Sequence, residues 1–413
     1  MKKIAFLCVL VMIFASCGSN HSNIALIWTN QPEFALYAEQ FNKNQSKYKV
    51  VVEYRENPAV DLINTKQPPD IVIGPWLKGE RARAKLVPVN YLFDEYKINS
   101  RLFYGRLLDL GNIRGKQYLL PVSFNLPAII FSPEQAQLIP NDFALSLEEI
   151  KNISGEFNIE RQGVYTRMGF SPRWDSEFLY LTAQLMNAGF EEASPLFTWN
   201  KTALAETISM LRDWTKTVNT SVQAEDDFQF KYLYDPPYKL ITGGRNLFSY
   251  MSSNDLFILP QEKLDAIDFR WITEKNQTPI TDDIINIGIC RKAQHSDAAE
   301  SFLIWFFNEK TQKELLDRSR ELGAADESFG ISGGFSALKS VNEKYFPLSY
   351  PVLLGHLPPE ETLVTPKILP NSWEELKNEI VIPYLKDAVS ASDGDVDAVI
   401  PLEMRISAWL KTH

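Results

Sequence analysis

The side chains that most enzymes depend on are scarce in this sequence. Of four histidines, His21 lies in a polar stretch near the start and His413 is the last residue, which leaves His295 and His356. The cysteines are Cys8, Cys17 and Cys290. No HExxH zinc helix, GxSxG nucleophile turn, phosphate-binding loop or Cys/His zinc spacing occurs. Asp282 and Asp283 form a carboxylate pair. Adjacent residues on a strand point to opposite faces, however, which is poor geometry for glycoside hydrolysis. The residues thus argue against an enzyme, and no cofactor or metal is expected. Tryptophan is better represented, with nine copies in a chain that is 12% aromatic.

Charge and the N-terminus narrow the function further. The formal charge is -10. Loss of a leader carrying Lys2 and Lys3 would take Lys+Arg from 42 to 40 against 52 acids, giving -12. Such a surface repels phosphate backbones, so nucleic acid is not an expected partner. Lys2 and Lys3 form a basic start, and the run from Ile4 to Ala15 is apolar. That run is too short for a ~30 Å hydrocarbon layer and fits an export signal over residues 1–17. Its end, Phe14-Ala15-Ser16-Cys17, resembles a bacterial lipobox with Phe in place of the usual Leu. Cys17 is then the lipidation site and the new N-terminus, on a tether over 18–23, facing the periplasm or the extracellular side. Lipid would be the only membrane anchor. Cys290 remains alone in the mature chain, so no internal disulfide can form; it reads as a small buried strand residue.

The elements that must position any site alternate between strand and helix. Ile24 to Trp28 reads as a buried strand, Val50-Val51-Val52 as a second and Asp70 to Gly74 as a third. Between the first two, Phe34, Tyr37, Ala38 and Phe41 recur at helical spacing. The pattern restarts with Tyr118 to Pro121 and Ala128 to Phe131. Helices carrying Phe178, Leu181 and Leu185, then Leu204, Ile208 and Leu211, follow, and Leu247 to Tyr250 reads as another strand. Later, Asp297 should cap a helix bearing Ala299, Phe302, Leu303 and Phe306. Ser372 with Glu375 should open one bearing Trp373, Leu376 and Ile380, which Pro383 should kink or end. Such alternation predicts an α/β architecture with helices on both faces of a sheet. Trp214, Trp305 and Trp409 fall on helical apolar stripes and are assigned to the core; Trp199 and Trp271 stay open.

Seven fragments in order resemble the solute-binding proteins of ABC importers, specifically the maltose-binding-like sugar family. They are Ile27-Trp28-Thr29-Asn30, Lys49-Val50-Val51-Val52, Pro69-Asp70-Ile71-Val72 with Ala84-Lys85-Leu86-Val87-Pro88 after it, Gly115-Lys116-Gln117-Tyr118-Leu119-Leu120-Pro121, Ala128-Ile129-Ile130-Phe131, Ser146-Leu147-Glu148-Glu149, and Asn286-Ile287-Gly288-Ile289 with Asp297 to Leu303. The resemblance implies a two-lobed, type II periplasmic-binding-protein-like fold, each lobe a mixed sheet flanked by helices. The first lobe would hold 22–125 plus 268–327, the second 126–267 plus 328–413. The chain would cross between them near Phe124–Pro127, Ile267–Arg270 and Ser328–Gly334. Gly330, Gly333 and Gly334 suit a hinge at the third crossing.

The same resemblance implies the ligand and the residues that hold it. A sugar offers hydroxyls at its rim and CH-rich faces, so its site combines flat rings with acids, amides and arginines. Trp28, Asn30 and Glu33 fall where relatives contact ligand, and Trp76 follows the third strand. Asn125 takes the place of an acid in a maltose-binding relative. Arg173, Trp174 and Asp175 precede the first helix of the second lobe, and Trp373 matches a stacking aromatic. Ser253 and Asn254, with Ser252, stand where the family often has an aromatic, a departure from its pattern. The implied protein is a monomer that closes on a small carbohydrate and delivers it to membrane permease subunits. A ligand sensor or surface-binding lipoprotein without a transport role is the alternative.

Overall fold

The computed structural model describes residues 23–140, 143–323, 327–392 and 398–412. The leader, Cys17 and most of the tether lie outside these residues, as do 393–397 of the Asp/Ser-rich stretch. Ten strands build two sheets: Ile24–Thr29 (β1), Lys49–Tyr54 (β2), Ile71–Gly74 (β3), Leu120–Phe124 (β4), Pro127–Phe131 (β5), Ala144–Ser146 (β6), Ser249–Ser252 (β7), Asp268–Thr273 (β8), Ile285–Ile289 (β9) and Phe335–Ser336 (β10). The first sheet has the order β10-β4-β9-β3-β1-β2, and the second β7-β5-β8-β6. β2, β1 and β3 run parallel, whereas β9 is antiparallel to both β3 and β4. β3, β4, β5 and β9 are buried along their whole length, which fits their unbroken apolar runs and a helical layer on each face.

Helical spacing reads through to packing. Phe34, Tyr37, Ala38 and Phe41 line the buried side of Glu33–Asn44 (α1). They meet Phe302, Trp305 and Phe306 of Ser296–Phe306 at ring separations of 5.4 to 6.3 Å. Each buried aromatic contributes roughly 2–3 kcal/mol of hydrophobic stabilisation. In the second lobe, Ser176–Leu185 (α2) and Lys201–Val218 (α3) cover the sheet, with Trp214 fully buried. Trp271 is also core, 1% exposed. Cys290 is buried just past β9, where it bridges to Leu86.

Several expectations need correction. β8 was assigned to the first lobe, but it hydrogen-bonds to β5 and β6 of the second sheet. The second passage between sheets therefore lies between Thr273 and Ile285. β10 pairs with β4, so Phe335 and Ser336 return to the first sheet. Apolar alternation makes a strand but does not say which sheet adopts it; partner register decides that. Asp297 sits inside the first turn of Ser296–Phe306, and Ser372 makes no side-chain cap. Of the two outcomes expected at Pro383, the helix is not ended but made irregular just before it. The chain stays helical from Trp373 to Ser390 by opening a π-helical turn over Lys377–Val381 immediately before Ile382–Ser390 (α4). The wider turn falls where the missing N–H and the ring of Pro383 would interrupt regular α-helical bonding.

Candidate functional site

A cavity of about 430 Å³ opens between the two sheets. Its first-lobe wall comes from the segments after β1 (Asn30, Gln31) and β3 (Pro75, Trp76), and from the passage before β9 (Thr281, Asp282, Asp283). Its second-lobe wall comes from Glu177, Tyr250, Asn254, Asp255 and the late helix (Glu374, Lys377, Asn378). Asn125, Ser332 and Gly333 form the floor, where the chain passes between sheets.

The floor is tied together by Asn125. Its amide nitrogen donates to the Gly333 carbonyl at 2.9 Å, and its amide oxygen accepts from the Ser253 hydroxyl at 2.6 Å. The Asn125 carbonyl accepts from the Thr281 N–H at 3.0 Å. One residue thus connects β4 to the segments before β9 and before β10. Gly330 and Gly333 adopt left-handed φ values of +60° and +72°. A Cβ on Gly330 would lie 2.3 Å from the Gly334 carbonyl oxygen, so glycine here makes a tight turn rather than a loose hinge.

The π-turn places Lys377 on the second-lobe wall. Its ammonium lies 3.0 Å from Glu177 and 3.6 Å from Asp282, above the Tyr180 ring. Burial alone would lower its pKa, but the fields of Asp282 and Glu177 outweigh that and hold it above the usual lysine value. Burial and the neighbouring Asp282 push the Asp283 carboxyl upward, against the hydroxyl of Thr281 that donates to it at 2.5 Å. Burial, then the charges of Asp175, Glu177, Asp283 and Asp255, hold the Tyr250 phenol well above its ordinary value. On the opposite wall Trp76 has φ +60°, an uncommon conformation for a bulky residue, and its buried indole N–H has no partner. Lys78 next to it buries an ammonium without a hydrogen bond, and burial lowers its pKa to about 8.

The residues singled out in the sequence divide in two. Asn30, Trp76, Asn125 and Asn254 line the cavity. The others do not. Trp28 donates its indole N–H to Glu53 at 2.8 Å and carries Arg55 over its ring, away from the cleft. Glu33 begins α1 and accepts a hydroxyl from Ser328. Arg173 pairs with the buried Glu225 at 2.8 Å and with Asp226 at 3.0 Å. Trp174 stacks on Phe228 at 5.6 Å, and Asp175 caps α2 through the N–H groups of Glu177 and Phe178. Ser253 is fully buried behind Asn125. Trp373 is 0% exposed among Tyr180, Phe190 and Phe197, and its indole donates to Asp282 at 2.8 Å. It orients a cavity residue and offers no stacking face. Sequence reasoning missed Gln31, Glu177, Tyr250, Asp255, Asp283 and Lys377. The available signal was the polar interruption Thr281-Asp282-Asp283 directly before an apolar strand.

No family model matches the sequence, and no curated protein matches it. Solved structures do align over nearly the whole chain. A sugar-binding protein from Xanthomonas citri aligns at TM-score 0.68 and 12% identity, covering 94% of this chain and 98% of that one. A cyclic alpha-maltosyl-1,6-maltose binding protein from Arthrobacter globiformis aligns at 0.62 and 18%, over 94% and 99%. An ABC substrate-binding protein from Listeria monocytogenes, in complex with cycloalternan, aligns at 0.61 and 16%, over 95% and 99%. The fold is the two-lobed periplasmic-binding-protein-like one. The cavity described above lies between its two lobes. Among the described residues no helix is long and apolar enough to cross a membrane.

Proposed function

We propose that this chain is an extracytoplasmic solute-binding protein that captures a carbohydrate between its lobes and presents it to an ABC importer. The observation that carries the reading is a cavity walled by both lobes, in which carboxylates, amides and the Tyr250 and Trp76 rings converge. Such a mixture suits a ligand with hydroxyl edges and CH-rich faces. Ligand contacts to both walls would favour the closed arrangement over an open one, since a ligand shifts a two-state equilibrium by its differential affinity. The similarity to structures of sugar-binding proteins supports the ligand class. The lipobox-like Phe14 to Cys17 supports tethering to the outer side of a membrane through acylated Cys17.

Two experiments test this. Saccharides titrated into the purified protein should raise its melting temperature and reduce its radius of gyration in solution scattering. A broad mono- and oligosaccharide panel that moves neither quantity removes the sugar assignment. Cys17→Ala should abolish fatty-acid labelling of the expressed protein; undiminished labelling would refute the anchor.

A further inference from the structure

The charge of the cavity restricts the ligand more than the fold does. Five carboxylates line it, those of Glu177, Asp255, Asp282, Asp283 and Glu374, against the single ammonium of Lys377. That ammonium is already divided between Glu177 and Asp282. Lys78 behind the wall adds a second cation but makes no hydrogen bond to any of them. Asp283 has the Thr281 hydroxyl as its donor, and Asp255 has that of Ser252 at 2.9 Å. No arginine or histidine lines the cavity among the described residues. A site for a uronate or phosphate would need such a fork or point charge, and here it would meet repulsion. A separate observation is an unspent donor in the wall: the Trp76 indole N–H, at a cavity residue only 6% exposed, is buried with nothing to accept it.

We infer that the cavity takes a basic saccharide, a sugar ring or oligomer bearing at least one free amino group, with its ammonium facing Asp283 and Asp255 and a ring oxygen or hydroxyl facing Trp76. This rests on the carbohydrate reading above and narrows it. A neutral sugar could satisfy the indole but would leave the excess carboxylates without a cation. An ammonium supplies charge-assisted bonds to them, which are stronger than neutral ones.

The test is isothermal titration of the purified protein with four saccharide sets of matched ring and linkage: hexosamines and their oligomers with free amines, the same compounds N-acetylated, the neutral parents, and the uronates. Spermidine serves as a non-sugar cation. The free-amine set should bind roughly tenfold tighter than the N-acetylated and neutral sets. Uronates should give no measurable heat. Raising salt should weaken the amine ligands most. The variants Asp255→Asn and Glu374→Gln are at exposed positions, so folding is preserved, and combining them should shrink the amine preference to about twofold. Neutral sugars binding as tightly as amines, or tighter, would overturn this inference and leave the carbohydrate reading standing. Spermidine binding with no saccharide bound, or no binding by any compound, would overturn both.

Discussion

Two clusters, one within the second lobe and one spanning the cleft, share a composition yet spend it differently. One is Arg173, Trp174 and Asp175 with Glu225; the other is Lys377, Trp373 and Asp282 with Glu177. Each combines a cation, an indole and acids. In the first, which borders a smaller cavity of about 180 Å³ at Trp174 and Asp175, the polar groups are used internally: Arg173 bonds Glu225 and Ser390, Trp174 donates to the Glu225 carbonyl at 3.3 Å, and Asn219 donates to Glu225 at 2.7 Å. In the second, the indole of Trp373 is likewise committed, but the ammonium and both carboxylates open onto a cavity. Across that cavity stands Trp76 with its unpartnered indole N–H, and Lys78, two residues on, is buried and unpartnered behind that wall. Residue types alone therefore do not mark a site. Unspent hydrogen-bonding capacity beside an accessible space does.

The comparison can be broken by substitution, and Arg173→Met should have the largest effect. It leaves the fully buried Glu225 side chain without its cation and should cost about 3–5 kcal/mol in denaturant unfolding, while ligand affinity of the folded protein stays unchanged. A loss below 1 kcal/mol would show that the cluster is not structural. Lys78→Met should act in the other direction. The folded-state pKa is depressed to about 8 from an ordinary 10.5, so the unfolded chain binds more protons between those values. Stability should then rise with pH across that window, and the cost of the buried charge should be fully present below pH 8. Removing the amine should stabilise the protein by up to about 3 kcal/mol at pH 7 and flatten that rise. An unchanged slope in pH-dependent melts would contradict the assignment.

The smallest effect comes from a matched pair. Trp174→Phe and Trp76→Phe lose similar volume, but the first gives up a bonded N–H and the second an unbonded one. Trp174→Phe should be the more destabilising by about 1 kcal/mol in parallel melts. Trp76→Phe alone should weaken ligand binding, by roughly fivefold. Reversal of either difference would exchange the roles given to the two tryptophans.

Much of the fold was legible in the chain. The stripe Phe34, Tyr37, Ala38, Phe41 and the runs that became β3, β4, β5 and β9 needed only period and length to be recognised. Less of the site was. Asn30, Trp76, Asn125 and Asn254, which line the cavity, were singled out through the resemblance to sugar-binding relatives, position by position, and not from any local pattern. Trp373 and Trp28 were misplaced because an indole at a plausible position can turn either to ligand or to core. Here the carboxylates of Asp282 and Glu53 settled the direction.

What the sequence determined by itself is the set of elements, since helical and strand periodicity arise from contacts a few residues apart. Which sheet received β8, which way Trp373 turned, and how Asp282 and Asp283 came to face Lys377 about ninety-five positions later were decided by tertiary structure. Those outcomes depend on strand register and on buried partners distant in the chain, and no local pattern encodes a choice between two equally apolar surfaces.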